Sequence, residues 1–278
     1  TRVHVIPKLG KYRLNEITTE ALDQFYNEKR QQKKQRGNTE ETLSKKIVGD
    51  IRKVVGMALK KAVAKGKIRF NPNDYTEPIG KDDPDIQYLT PEEVADFLGK
   101  ISNDYWYPVF VTALGTGLRA GKLAALKRSD FDLKEGFVKV RRNAARINTY
   151  AKEGPKTKVV IQTPKSKKSI RKVPLPIDVV NVIKEFLKHQ DEIRGNVTEL
   201  YPDRFVFCWP DGRLVDPNYF TKHFKKLVRK AVKGKDIHLH CLRHSYASML
   251  LAKGEDIKII SENLGHADIK ITLDLYTH

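Results

Sequence analysis

Residues 238–278 read HLHCLRHSYASMLLAKGEDIKIISENLGHADIKITLDLYTH and hold five of the eight histidines, together with Arg243 and Tyr276. His240 and Arg243 stand three apart in a helical pattern, so both project from one face. Alone, such a pair suits a solvated surface as well as a site. The helical pattern DIKIISENL then runs into Gly265-His266, which sets an imidazole at the start of new structure. Tyr276 follows, and a lone tyrosine is as readily packing as chemistry. Taken together, an arginine, two histidines and a tyrosine suit phosphoryl transfer from a phosphodiester without a metal. Guanidinium and imidazole donors clamp the phosphate and offset its transition-state charge. Arginine's planar fork fits two phosphate oxygens. A phenol becomes a competent nucleophile once cations stabilise its anion, and the leaving alkoxide needs a proton that a lysine can give.

The rest of the chain offers the missing cations. GTGLRAGKLAAL puts Arg119 in a Gly-flanked turn that opens a helix, where small residues allow a backbone to approach a phosphate. A plain loop-to-helix junction with a solvated arginine reads the same way. TPKSKKSIRKVP lies between two strand patterns and carries Lys165, Lys167 and Lys168 in its turn. As a hairpin tip it can deliver a mobile lysine; as a charge run it is simply solvated.

These groups need elements to hold them. Residues 14–70 read as helical and very basic: Ile17, Leu22, Phe25 and Tyr26 recur at helical intervals with Thr18 or Thr19 as cap. Leu43, Ile47, Ile51, Val54, Val55, Ala58, Leu59 and Ala62 form a second apolar face ending near Gly66. NPNDYTEPIGKDDPD is rich in Pro and turn residues and reads as a linker. The spacing therefore predicts a helical domain over 1–72, a linker over 73–87 and a second domain over 88–278. The second domain begins at YLTPEEV, with Thr90 as cap, Pro91 at the first helical position and Glu93 closing a capping box. FVKVRR, KVVIQT and RKVPLP alternate as strands of one small antiparallel sheet. The fold class expected is α+β, mainly α with that small sheet.

Composition narrows the function. Lys+Arg total 53 against 34 Asp+Glu, a net charge of +19, and such an excess points to a polyanionic partner, nucleic acid first. Two cysteines without metal-ligand spacing argue against a disulfide scaffold and a cysteine zinc site. No carboxylate cluster beside these motifs suits a two-metal nuclease. No apolar run reaches the roughly 18 residues of a membrane span. The opening TRVHVIPKLG has neither Met nor a signal pattern, as expected of part of a longer protein.

In order, TGLRAGKL, the turn lysine of TPKSKKSIRKVPL, HLHCLRHSYAS, LGHADIKIT and LDLYTH resemble the tyrosine recombinases, or phage integrases, most of all those of phages and conjugative transposons. The resemblance runs from about residue 14 to the end. It implies a core-binding domain and a catalytic domain that clamp double-stranded DNA. It also implies a homotetramer on synapsed DNA from a protein monomeric when free, with DNA-bending accessory factors as possible partners. No cofactor, metal or ATP is implied, and the place of action is the bacterial cytoplasm, at the nucleoid. Arg119 and Arg243 would hold the scissile phosphate; His240 would contact it and the nucleophile's proton; His266 would support both. Tyr276 would attack to give a 3′-phosphotyrosyl link, Lys165 would protonate the leaving 5′-hydroxyl, with Lys167 the second choice, and a four-way junction would follow. Lys167, Lys168, Arg171, Lys122, Lys45 and Lys53 are the expected DNA contacts. Relatives usually carry an acidic residue where this chain has Lys122; a lysine there is expected to order Arg119 less tightly and to reach outward to DNA. The alternatives are a type IB topoisomerase and a catalytically silent DNA-binding module of the same fold.

Overall fold

The computed structural model describes residues 3–36, 39–80, 88–151, 153–163, 170–194, 204–232, 235, 237–266, 268–270 and 272–273. The chain divides into two compact units, Thr1–Asp85 and Ile86–His278. Among the described residues no helix is long and apolar enough to cross a membrane.

In the first unit, the one-turn helix α1 (Ile6–Leu9) precedes α2 (Thr19–Gln31), the antiparallel hairpin β1 (Lys33–Arg36) and β2 (Thr39–Thr42), and α3 (Lys45–Ala64). Both long helices start where a hydroxyl satisfies a free first-turn amide: Thr18 accepts from Ala21 N at 3.2 Å and Ser44 from Ile47 N at 3.3 Å. Leu22, Phe25 and Tyr26 pack against Val48, Ile51, Val55 and Leu59. Ile47 is exposed, because the buried stripe of α3 begins one residue later, at Val48. The Tyr26 hydroxyl donates to Asn73 Oδ1, and Arg52 donates to the carbonyls of Asn73 and Thr76, which fastens the turn at 72–76 to both helices. The hairpin went unread in the sequence: KKQR and TEET carry no apolar alternation.

The second unit runs α4 (Pro91–Lys100), α5 (Tyr107–Thr116), α6 (Ala120–Ala124), β3 (Phe131–Asp132), β4 (Phe137–Val140), β5 (Asn143–Asn148), β6 (Thr157–Gln162), β7 (Arg171–Pro174), α7 (Ile177–Arg194), α8 (Pro217–Ala231), α9 (Cys241–Ala252) and α10 (Ile257–Leu264). The capping box of Thr90 and Glu93 opens α4. The strands make two antiparallel ladders among the described residues, not the one sheet expected: β3-β4-β7, and β5-β6 apart from it. FVKV pairs with RKVP, Val138 opposite Val173, while KVVIQ pairs with NAARIN, Ala145 opposite Val160. Between β4 and β5, Arg141 and Arg142 turn to buried Asp130, which accepts from Arg141 Nε at 2.8 Å and from the Arg142 guanidinium. The core gathers Phe97, Phe110, Phe220 and Phe224, with α5 packed on α7 and α9. Gly115 of α5 allows that approach, since a Cβ there would lie 2.4 Å from Val179 Cγ2.

Candidate active site

Three separated segments meet at the C-terminal ends of α5 and α10. Gly117 ends α5 at φ +62°, a left-handed conformation that suits glycine. A Cβ there would meet Leu264 Cδ2 at 2.6 Å and Tyr246 Cδ1 at 2.7 Å. The glycines of GTGLR let α5 lie against α7, α9 and α10. Arg119 follows at the start of α6, extended at φ −73° and ψ 151°, with its side chain exposed.

Arg243, on the first turn of α9, is 3% exposed. Its Nη1 donates to Gly117 O at 2.7 Å and its Nη2 to Leu264 O at 2.8 Å, so the fork ties the ends of α5 and α10 together. Arg171 at the start of β7 braces the same corner, its Nε donating to Asn263 O at 2.7 Å and its Nη2 to Leu264 O at 2.9 Å. Arg171, expected to contact DNA, turns its guanidinium to the end of α10, and its Nη1 is buried without a hydrogen-bond partner. Burial and the charge of Arg119 pull its pKa down to about 10.

His240 sits at the start of α9 with an exposed edge, its ring centroid 5.2 Å from that of His244. Contact with the surrounding protein, then the charges of His244, Arg243 and Arg119, hold its imidazole down at about 4. His266 follows Gly265, the left-handed residue ending α10, and its Nδ1 lies 2.7 Å from the hydroxyl of buried Thr272. Burial, then Arg243, Arg119, Arg171 and His240, hold it also at about 4. Both rings are therefore neutral near pH 7 and can donate or accept a proton. With Nδ1 engaged at Thr272, His266 has Nε2 left for a ligand. Thr272 was missed in the sequence, where it reads as one more residue of ADIKIT; only its place six after His266 hints at it.

Lys122 is 8% exposed, which corrects the expectation that it reaches outward to DNA. Burial and the charges of Arg171, Arg119 and Arg243 pull its amine down to about 7. Beside this corner an open cavity of about 400 Å³ is bordered by Arg119, Gly121, Asn143, Arg146, Asn218 and His240. On the first unit, Lys45 begins α3 and Lys53 lies on it, exposed and 3.5 Å from Asp50. Lys165, Lys167, Lys168 and Tyr276 lie outside the described residues.

The structure thus brings together Arg119, His240, Arg243 and His266, with Lys122 and Arg171 beside them. Residues 87–278 match the model of the phage integrase family. The chain belongs to that family. Its relatives include a XerC-like tyrosine recombinase of Caldanaerobacter subterraneus subsp. tengcongensis, 32% identical over 72% of this chain and 52% of that protein. Another is the ICEBs1 integrase of Bacillus subtilis, 27% identical over 85% of this chain and 62% of that protein. The chain therefore spans between about half and two thirds of the length of these curated relatives. Its fold is that of the integrase of transposon Tn1549, solved in complex with a circular intermediate DNA, with TM-score 0.81 and 22% identity over 100% of this chain and 86% of that one. A lambda integrase tetramer bound to a Holliday junction is also similar, with TM-score 0.68 and 19% identity over 95% of this chain and 68% of that one. This phage integrase fold joins mostly helical units with small antiparallel sheets.

Proposed function

We propose that this chain is the DNA-cleaving part of a site-specific recombinase that integrates or excises a mobile element. The observation that carries the reading is the convergence of Arg119, His240, Arg243 and His266, with Arg243 donating to the backbone carbonyls of Gly117 and Leu264. Such a site presents positive charge and neutral imidazoles to a phosphodiester. The two arginines hold the non-bridging oxygens. The Tyr276 oxygen attacks phosphorus, the bond to the 5′-oxygen breaks, and that oxygen takes a proton from Lys165. His240 takes the phenol's proton, and His266 steadies the phosphate through Nε2. The new 3′-phosphotyrosyl ester keeps the energy of the broken bond, so a 5′-hydroxyl from a partner duplex rejoins the strand without ATP or metal, through a four-way junction. Among the described residues no His, Cys, Asp and Glu cluster is arranged to hold a metal ion.

In this reading residues 1–72 form a core-binding domain, 73–87 a linker and 88–278 the catalytic domain, and the two domains close on double-stranded DNA. Lys45, Lys53, Lys167 and Lys168 contact its backbone, and a monomeric protein assembles into a homotetramer on synapsed sites at the nucleoid. The test is a nicked suicide duplex carrying the ends of the element that encodes the chain, resolved on a denaturing gel. A covalent protein–DNA adduct is expected, undiminished by EDTA and absent in Tyr276→Phe, which still binds. Absence of an adduct would leave the silent-module reading, and a metal requirement would overturn the chemistry. Relaxation of supercoils without strand exchange would favour the topoisomerase.

A further inference from the structure

The corner of α5, α9 and α10 holds more positive charge than two phosphate-binding arginines need. Lys122 stands three residues after Arg119 on the short helix α6, buried, with the guanidinium groups of Arg119, Arg171 and Arg243 around it. Among the described residues neither the Lys122 nor the Arg119 side chain has a hydrogen-bond or ion-pair partner. Arg171 adds to the crowding of positive charge in the same corner, its Nη1 buried without a hydrogen-bond partner. A buried ammonium among three guanidiniums is costly unless something negative joins it. No carboxylate of the described residues does so.

We propose that Lys122 is a further ligand of the scissile phosphate, a cation recruited among the arginines that takes up a proton as the phosphate enters. The inference rests on the proposed function for the identity of the anion. With the corner empty, the amine titrates at about 7, so near neutrality a large share of it is uncharged. A phosphate beside it favours the ammonium. The free protein thereby avoids part of the repulsion, and the full charge is present when it is useful.

The other groups facing Lys122 do not blur this behaviour. α6 packs against α5, β5 and α8. The sole ionisable side chain of α5 is Tyr107, at its far start. From β5 and α8, Arg146 borders the neighbouring cavity and is paired with Asp216 at 2.5 Å, and His223 of α8 is held by Asp104 at 2.8 Å. Arg171, at about 10, stays charged between pH 7 and 9. His240 and His266, both at about 4, stay neutral over the same span.

Sulfate serves as the probe, a tetrahedral dianion that does not itself titrate near neutral pH. In protein carrying ¹³Cε-labelled lysine, the signal lost in Lys122→Met identifies the residue. It is expected to titrate near neutrality, with its midpoint raised by about one pH unit at saturating sulfate. Sulfate affinity of the parent should then weaken above pH 7, by at most about tenfold per pH unit. Lys122→Met should show a weaker, pH-independent affinity, and Lys122→Arg a strong, pH-independent one. A midpoint unmoved by saturating sulfate, or one near the ordinary lysine value without it, overturns the proposal. The suicide-duplex assay on the parent keeps the two readings apart. A Lys122 signal that responds to sulfate in a protein forming no adduct would sink the recombinase reading and, with it, the scissile phosphate as ligand.

Discussion

Replacing Arg171 by Met separates a bracing role from a DNA contact. The substitution removes the hydrogen bonds from Nε to Asn263 O and from Nη2 to Leu264 O. A hydrogen bond from a charged donor contributes roughly 1.5–3 kcal/mol, so the gross loss is about 3–6 kcal/mol. Two effects offset it. Leu264 O keeps the bond from Arg243 at 2.8 Å, so one carbonyl rather than two loses its donor. The buried, unpartnered Nη1 also disappears, and such a group costs about 1–3 kcal/mol. The methionine stem retains most of the apolar contact. The net expectation is a destabilisation of about 1–3 kcal/mol, read as a lower urea midpoint at unchanged slope.

The functional consequence follows from the position of His266, two residues beyond Leu264. With the end of α10 held by one arginine instead of two, single-turnover cleavage of a suicide duplex should fall several-fold. DNA affinity should hold, and the dependence of log K on log salt should keep its slope. A phosphate contact predicts the opposite pattern: unchanged stability, with the slope shallower by about one. That outcome would refute the bracing role.

Two further expectations concern the same corner. Gly117→Ala places a Cβ 2.6 Å from Leu264 Cδ2 at φ +62°, so left-handed strain and overpacking together should cost about 2–4 kcal/mol in urea unfolding and weaken cleavage more than binding. His240 and His266 titrate at about 4 in the fold against 6.5 ordinarily, so the unfolded chain binds protons first as pH falls. The stability from neutral burial is fully present above about pH 6.5 and is lost as pH drops towards 4. A His266→Gln variant should lose less over that window in urea melts, and an equal loss would show that His266 does not carry the effect.

Much of the fold could be read from the residues because the signals were local. Thr18, Ser44 and Thr90 cap the helices that follow them, and the apolar stripes of α2, α3 and α8 repeat at helical spacing. The candidate site was legible where a motif placed residues in one segment, as with His240 and Arg243. What escaped depended on distant partners. Nothing in RKVP shows that Arg171 crosses to carbonyls about ninety residues later in the chain. Nothing in LRAGKL shows that Lys122 turns inward; a lysine in a basic protein reads as solvated. Nor does strand alternation report that Asp130, buried, pairs with Arg141 and Arg142 in the segment between β4 and β5.

The manner in which Arg243 and Arg171 are anchored bears on what the site can do. A guanidinium fixed by a carboxylate is well oriented, but the pair is close to neutral and has little charge left for a ligand. Here both forks are fixed by carbonyls at the C-terminal ends of α5 and α10. Those oxygens are the groups a helix leaves unsatisfied, and the helix end carries partial negative charge of about half an electron. A cation docked there is oriented by strong hydrogen bonds while most of its charge remains. The ligand that completes such a site must be an anion, and it must reach oxygen-binding donors held in fixed directions. A phosphodiester meets both conditions. Lys122 fits the same logic: with no carboxylate of the described residues beside it to hold its proton, its charge depends on the anion's arrival.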